Sequence, residues 1–172
     1  MKSTVVMTII GPDRPGLVDT LAGIVAAHGG NWLESRMSRL GGQFAGILRV
    51  EIPAAMEPAL TKVLGNLSAK GITVVVQADL PPEPAVPLRL MKLELVGHDR
   101  PGIVRQISHA LAAQGVNVED LETELASAPM SGETLFKARA TLHLPAACNI
   151  EDLRQDLEKI AADLIVDISL GE

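Results

Sequence analysis

The sequence predicts an α+β chain made of two copies of one βαββαβ unit, each an antiparallel sheet with its helices on one face. Three observations carry that expectation. The chain contains an internal repeat, a proline-rich break separates the copies, and the hydrophobic period switches between strand-like and helix-like spacing inside each copy.

The repeat emerges when Gly11 to Asn31 (GPDRPGLVDTLAGIVAAHGGN) is set above Gly97 to Asn117 (GHDRPGIVRQISHALAAQGVN). Gly, Asp-Arg-Pro-Gly, Val, Ala-Ala, Gly and Asn coincide at one constant offset. Further on, Phe44 matches Phe136, and Ile52-Pro53-Ala54-Ala55 matches Leu144-Pro145-Ala146-Ala147. The offset grows between these blocks because the second copy carries a longer turn, Ser127 to Thr134. The break is Asp79-Leu80-Pro81-Pro82-Glu83-Pro84-Ala85-Val86-Pro87, whose four prolines disfavour helix and central strand and favour an extended spacer. The expected organisation is a first domain over 1–78, a linker over 79–87 and a second domain over 88–172.

Each element follows from its pattern. Ser3 to Ile10 alternates as a strand, with Val5, Met7 and Ile9 on one side. A helical stripe follows, Leu17, Leu21, Ile24, Val25 and His28, matched by Ile103, Ile107, Ala110, Leu111 and Gln114. Glycines at Gly29-Gly30 and Gly115 supply the stop. Asn31 to Leu40 and Gln43 to Ile52 read as strands joined by Gly41-Gly42, a pair suited to the positive φ of a tight hairpin. Met56, Leu60, Val63, Leu64 and Leu67 form a second helical stripe. Its counterpart is Leu153, Leu157, Ile160 and Leu164, capped by Asn149. Ile72 to Ala78 and Ile165 to Leu170 close the copies as strands. That order is the ferredoxin-like split unit.

In such a unit the inward positions are Val5, Met7, Ile9, Phe44, Leu48 and Val50, and then Met91, Leu93, Leu95, Phe136, Ala140 and Leu142. The uncovered face of the second sheet carries Lys92, Glu94, Lys137, Arg139 and His143, as solvent allows. That of the first carries Val6, Thr8, Ile10 and Ile47, too apolar for water. Cover from the other domain, the linker or a second chain is expected, the last of these making the protein a homo-oligomer.

Composition narrows function. The chain of 172 residues is 47% hydrophobic, which supplies a core, but only 2% aromatic, which leaves little for stacking on bases. A net charge of −6 with no basic cluster opposes direct nucleic-acid binding. The single cysteine, Cys148, cannot form an internal disulfide and fits a reducing, cytoplasmic setting. The apolar run after Met1-Lys2 ends at Gly11-Pro12-Asp13, too soon for a secretory signal, and no stretch is long enough to span a bilayer.

The repeated turn Asp13-Arg14-Pro15-Gly16 and Asp99-Arg100-Pro101-Gly102 is the feature with chemical content. Proline suits a first helical position, and glycine lets a ligand or backbone approach. The amides of Gly16, Leu17 and Val18, or Gly102, Ile103 and Val104, are then unpaired donors at the positive end of a helix, ready for a carboxylate. Asn31 and Asn117, opening an edge strand, offer a donor and an acceptor to a small zwitterion beside that loop. The same residues also make a plain Asx-type turn that starts a helix.

Catalytic signals are sparse. His28, His98, His109 and His143 lack metal-ligand spacing with each other or with Cys148, so no metal or other cofactor is expected. A helix N-terminus could lower the Cys148 pKa, yet no histidine is placed as its base, and an inert thiol is expected. Asp120, Glu122 and Glu124 alternate on an edge strand, where charge blocks sheet-to-sheet pairing.

The D-R-P-G-[LI]-V loop, the Gly29-Gly30-Asn31 and Gly115-Val116-Asn117 steps, and the duplicated βαββαβ order resemble tandem ACT-domain proteins, in layout those of the glycine cleavage system transcriptional repressor type. The resemblance implies a non-catalytic regulatory module that binds a small amino acid, glycine being a candidate, where two copies meet. It implies ligand contacts from Asp13, Arg14, Gly16, Leu17 and Asn31, and from Asp99, Arg100, Gly102, Ile103 and Asn117. It also implies control of transcription by contact with a DNA-binding activator protein. Two alternatives stay open: a regulatory subunit of an amino-acid or one-carbon enzyme, and, more distantly, an enzyme on this scaffold. His98 stands where the first copy has Pro12, so the two sites are not equivalent.

Overall fold

The computed structural model describes residues 1–80, 89–128 and 132–171. The chain divides into two compact units, residues 1–81 and 82–172. In the first unit β1 (Lys2–Pro12), α1 (Leu17–Ala27), β2 (Asn31–Leu40), β3 (Gln43–Pro53), α2 (Glu57–Gly65) and β4 (Thr73–Ala78) follow in order. The second repeats them as β5 (Arg89–His98), α3 (Ile103–Ala113), β6 (Asn117–Ser127), β7 (Thr134–Leu144), α4 (Ile150–Leu164) and β8 (Val166–Gly171). The sheets run β2-β3-β1-β4 and β6-β7-β5-β8, and the pairings between these strands are all antiparallel. Two βαββαβ units of ferredoxin-like topology are therefore present. Residues 81–87 of the proline-rich spacer, and 129–131 of the longer turn, lie outside the described residues.

Strand alternation builds the cores. Val5, Met7, Leu48 and Val50 are fully buried under Leu21 and Val25 of α1 and Leu60 and Leu64 of α2. Met91, Leu93, Leu95, Ala140 and Leu142 sit likewise under Ile107 and Leu111 of α3 and Leu153 and Leu157 of α4. Phe44 and Phe136 are half-buried at the margins of these clusters. No polar or charged residue is buried among the described residues. No helix among them is long and apolar enough to cross a membrane.

The outer faces differ as their sequences do. Lys92, Glu94 and Arg139 are exposed on the second sheet. On the first, Ile10, Ile47 and Val75 are 46%, 56% and 49% exposed, forming an apolar band across three strands. At its border Arg49 donates from Nε and Nη2 to Asp79 Oδ2 at 2.9 and 2.6 Å. The Asp79 hydrogen bond, then its charge, holds the Arg49 pKa above its ordinary value. Asp79 N also donates to the Thr4 carbonyl at 3.0 Å.

Several local expectations shift. The stripe Met56 to Leu67 is not one α-helix. Short 3-10 turns, Ala54–Met56 and Asn66–Lys70, flank α2, because Gly65 and Asn66 are weak helix formers and the chain tightens there. Ile72 precedes β4 rather than opening it. Pro15 and Pro101 stand before the helix N-caps Gly16 and Gly102, not at the first helical position. Ile165 is not a strand residue: it ends α4 in the left-handed region at φ 55°, where the first unit holds Gly71 at φ 76°. The sequence pattern also gave no sign of the matched register shifts that make Leu33 and Glu119 bulge residues directly after Trp32 and Val118. Other readings hold. Gly41 and Gly42 have φ 58° and 77°, as a two-residue hairpin of the primed type requires. The Asn149 side chain accepts from Glu151 N at 3.0 Å, capping α4.

Two substitutions follow. Ile165 is 64% exposed, so Ile165→Gly gives up little burial and relieves a β-branched residue at positive φ; unfolding in urea should show a gain of about 1 kcal/mol. Gly97→Ala should do the reverse, because its Cβ would stand 2.3 Å from Val166 Cγ1 and 2.8 Å from Val166 Cα. A loss of about 1–3 kcal/mol is expected in the same measurement.

Candidate functional site

Each Asp-Arg-Pro-Gly segment turns the end of a central strand into a helix. Gly16 has φ 87° and ψ 4°, and Gly102 φ 94° and ψ −2°. Those are the angles of the third residue of a type II turn, whose second position favours proline. Nothing lies within 4 Å of a Cβ built on either glycine, so conformation and not close approach demands glycine here. The Gly16 carbonyl accepts from Thr20 N at 2.9 Å and Thr20 Oγ1 at 2.8 Å, and the Gly102 carbonyl accepts from Gln106 N at 3.0 Å. No side chain caps either helix, which leaves the first-turn amides as donors in the positive field of α1 and α3.

The neighbouring side chains are used differently in the two units. Asp13 pairs with Arg39 Nε at 2.7 Å, and its backbone N–H donates to the Gly42 carbonyl at 2.9 Å, fixing the loop to the β2–β3 hairpin. Arg14 Nη2 donates to the Lys70 carbonyl at the end of the second 3-10 turn. In the second unit Asp99 N donates to the Thr134 carbonyl at 3.3 Å, and His98 Nδ1 stands 3.8 Å from Glu133 Oε2. Leu17 and Ile103 are 5% and 3% exposed, so their side chains belong to the core and only their amides face a ligand.

The asparagines are not beside the loops. Asn31 is level with Glu51, and Glu51 with Thr4, while the loop follows Pro12. Eight residues of β1 separate the two levels, about 27 Å at about 3.4 Å per residue. Asn117 is level with His143 and Leu90, equally far from the loop after His98. The cause is topological: α1, with 11 residues, carries the chain about 16 Å back along the sheet before β2 begins. Each unit thus brings Asp, Arg, Gly and the following amide together at one end and leaves its asparagine, exposed, at the other.

Other polar groups are structural in their surroundings. At the Asn117 end His143 Nε2 meets Glu119 Oε2 at 2.9 Å, a pair that depends on the bulge. Glu122 stands 3.9 Å from Arg139, and Glu124 is registered with Lys137, so two of the three acids on β6 face cations, while Asp120 is registered with Thr141. Burial pushes the Cys148 thiol up, the charge of Arg89 opposes it, and that of Asp152 adds the smallest push upward. The N-terminus of α4 does not activate it. A cavity of about 40 Å³ lies beneath α3.

Comparison with known proteins agrees with this architecture. The ACT domain family model matches residues 3–78 and 91–170. The glycine cleavage system transcriptional repressor of Escherichia coli (strain K12) is 24% identical over 164 residues, covering 92% of this chain and 84% of that protein. A protein of unknown role from Galdieria sulphuraria superposes with a TM-score of 0.85 at 29% identity, covering 100% of this chain and 99% of its own. The crystal structure of a candidate glycine cleavage system transcriptional repressor superposes with a TM-score of 0.71 at 17% identity, covering 99% and 97%, a likeness of fold.

The thiol gives a direct check. With its pKa raised by burial, Cys148 should react with a disulfide reagent more slowly than a free thiol at pH 8. Its rate should keep rising beyond pH 8.5, where an ordinary cysteine is already half ionised. A rate profile with a midpoint below pH 8 would contradict the assignment.

Proposed function

The chain belongs to the ACT domain family, and on that premise we propose that it is an amino-acid-responsive regulator of transcription that acts by protein contact with a DNA-binding activator. The observation that carries the reading is the twice-built loop, Gly16 and Gly102 in one conformation with free first-turn amides behind each. The sequence likeness to a repressor protein supports the regulatory role, and the net charge of −6 favours a protein over DNA as its target.

In this reading the ligand carboxylate sits on the amides of Leu17 and Val18, or of Ile103 and Val104, where charge-assisted bonds and the helix field hold it. An asparagine meets the ammonium end. Because each asparagine is about 27 Å from the loop of its own unit, it reaches such a ligand only from another ACT unit, which a second chain can supply. The apolar band of the first sheet is the surface we assign to self-association. Its bordering charges, Arg49 and Asp79, already neutralise each other, so the band can meet a copy of itself without like-charge repulsion.

A thermal-shift screen of the twenty amino acids tests ligand binding, since a ligand at 100 times its Kd adds about 2.7 kcal/mol to the native state. At least one amino acid should raise the melting temperature, and silence across the set would end the reading. Asn31→Ala or Asn117→Ala should then weaken that ligand about tenfold in calorimetric titration, the loss of one hydrogen bond to a charged group, with the fold intact. Unchanged affinity in both would remove the asparagines from the site.

Self-association is tested separately. Ile47→Glu sets a charge in the middle of the band, and light scattering should show the assembly of the wild-type chain dissociating. A wild-type chain that is monomeric at high concentration would refute the assignment.

A further inference from the structure

The two units share a topology but not a packing of the edge-strand side of the core. In the first, Trp32, Met37 and Leu48 pack into or against the core, and Met37 lies over Gly46, where a Cβ would stand 2.3 Å from Met37 Cγ. Strand register puts Val118 where the first unit has Trp32, Thr123 where it has Met37, and Ala140 where it has Leu48. Those three changes remove side-chain volume. Ala138 in place of Gly46 restores one methyl, and Leu121 in place of Ser35 is 51% exposed at the rim.

The space left is the cavity of about 40 Å³, walled by Leu95, Ile107, Leu111 and Phe136, with Ser108 as its one hydroxyl. It has room for about three water-sized groups, yet a buried water needs two to four polar partners. Water fits it poorly, and an aliphatic group fits it well. Val104 and Leu121, both part-exposed, stand where it meets solvent, and Ile103 and Val104 both line it and carry first-turn amides of α3.

We propose that this cavity of the second unit receives the branched end of an aliphatic amino-acid side chain such as leucine, its last three carbons inside and its Cβ at the mouth. The proposal rests on the amino-acid reading above and narrows it, separating the second unit from the first by ligand side chain. Glycine, without a side chain, gains nothing from the cavity.

Calorimetric titration of the full chain with leucine and with glycine tests this, alongside Ala140→Leu and Val118→Trp, which install the residues that the first unit carries at the registered positions. Leucine should bind the wild-type chain and lose at least tenfold in affinity in both variants. Its methyl protons should also show nuclear Overhauser contacts with the Phe136 ring in the wild-type chain, a readout independent of how either variant folds. Glycine binding without leucine binding would overturn the proposal and leave the amino-acid reading standing. Leucine binding without the Phe136 contacts, or undiminished in both filled variants, would overturn it as well. No binding of any amino acid would overturn both. A change of oligomeric state in the filled variants with no leucine response would give the cavity to a contact between copies and refute the ligand.

Discussion

The contact between the aliphatic inner face of each sheet and the helices lying on it governs the rest of the molecule. With only Trp32, Phe44 and Phe136 as aromatics, each core is assembled from Leu, Ile, Val, Met and Ala, which offer shape but no polar anchor. Position is therefore set by strand alternation: Val5, Met7 and Ile9 inward, Val6, Thr8 and Ile10 outward. A one-residue slip would exchange the sets, which is why the register of the central strands holds over their whole length.

Duplication kept that contact and let its margins diverge. Both copies of the Asp-Arg-Pro-Gly loop adopt one backbone, since the turn needs glycine at positive φ. Around it, Asp13 and Arg14 are tied to Arg39 and the Lys70 carbonyl, whereas His98 stands near Glu133 across a longer turn. The same motif is fastened through different partners in the two units. Identical letters in a repeat need not carry identical work.

Alternation and glycine placement make the eight strands, the hairpin at Gly41-Gly42 and the inner faces legible in the residue pattern alone. The end of the sheet at which Asn31 lies needed one more step: a helix antiparallel to its strand returns the chain to that strand's start. The bulges at Leu33 and Glu119 left no trace in composition, because a bulge depends on pairing with β3 and β7 and not on local propensity. Ile165 at positive φ was illegible for a related reason, since the turn from α4 into β8 sets the backbone there whichever residue occupies it. The deficit of volume at Val118, Thr123 and Ala140 becomes visible only when register tells which residues of the two copies correspond.

The Arg49–Asp79 clasp has a mechanical side. Strand β4 lies at the edge of its sheet, paired to β1 alone, and an edge strand pulled from its end peels one hydrogen bond at a time. Asp79 follows that strand directly, and its carboxylate reaches past β1 to Arg49 on β3 while its amide holds Thr4 on β1. A tug on the chain beyond Leu80 is thus spread over both neighbouring strands before β4 begins to peel. The clasp acts as a strain relief, like the knot that keeps a cord from being drawn through its socket.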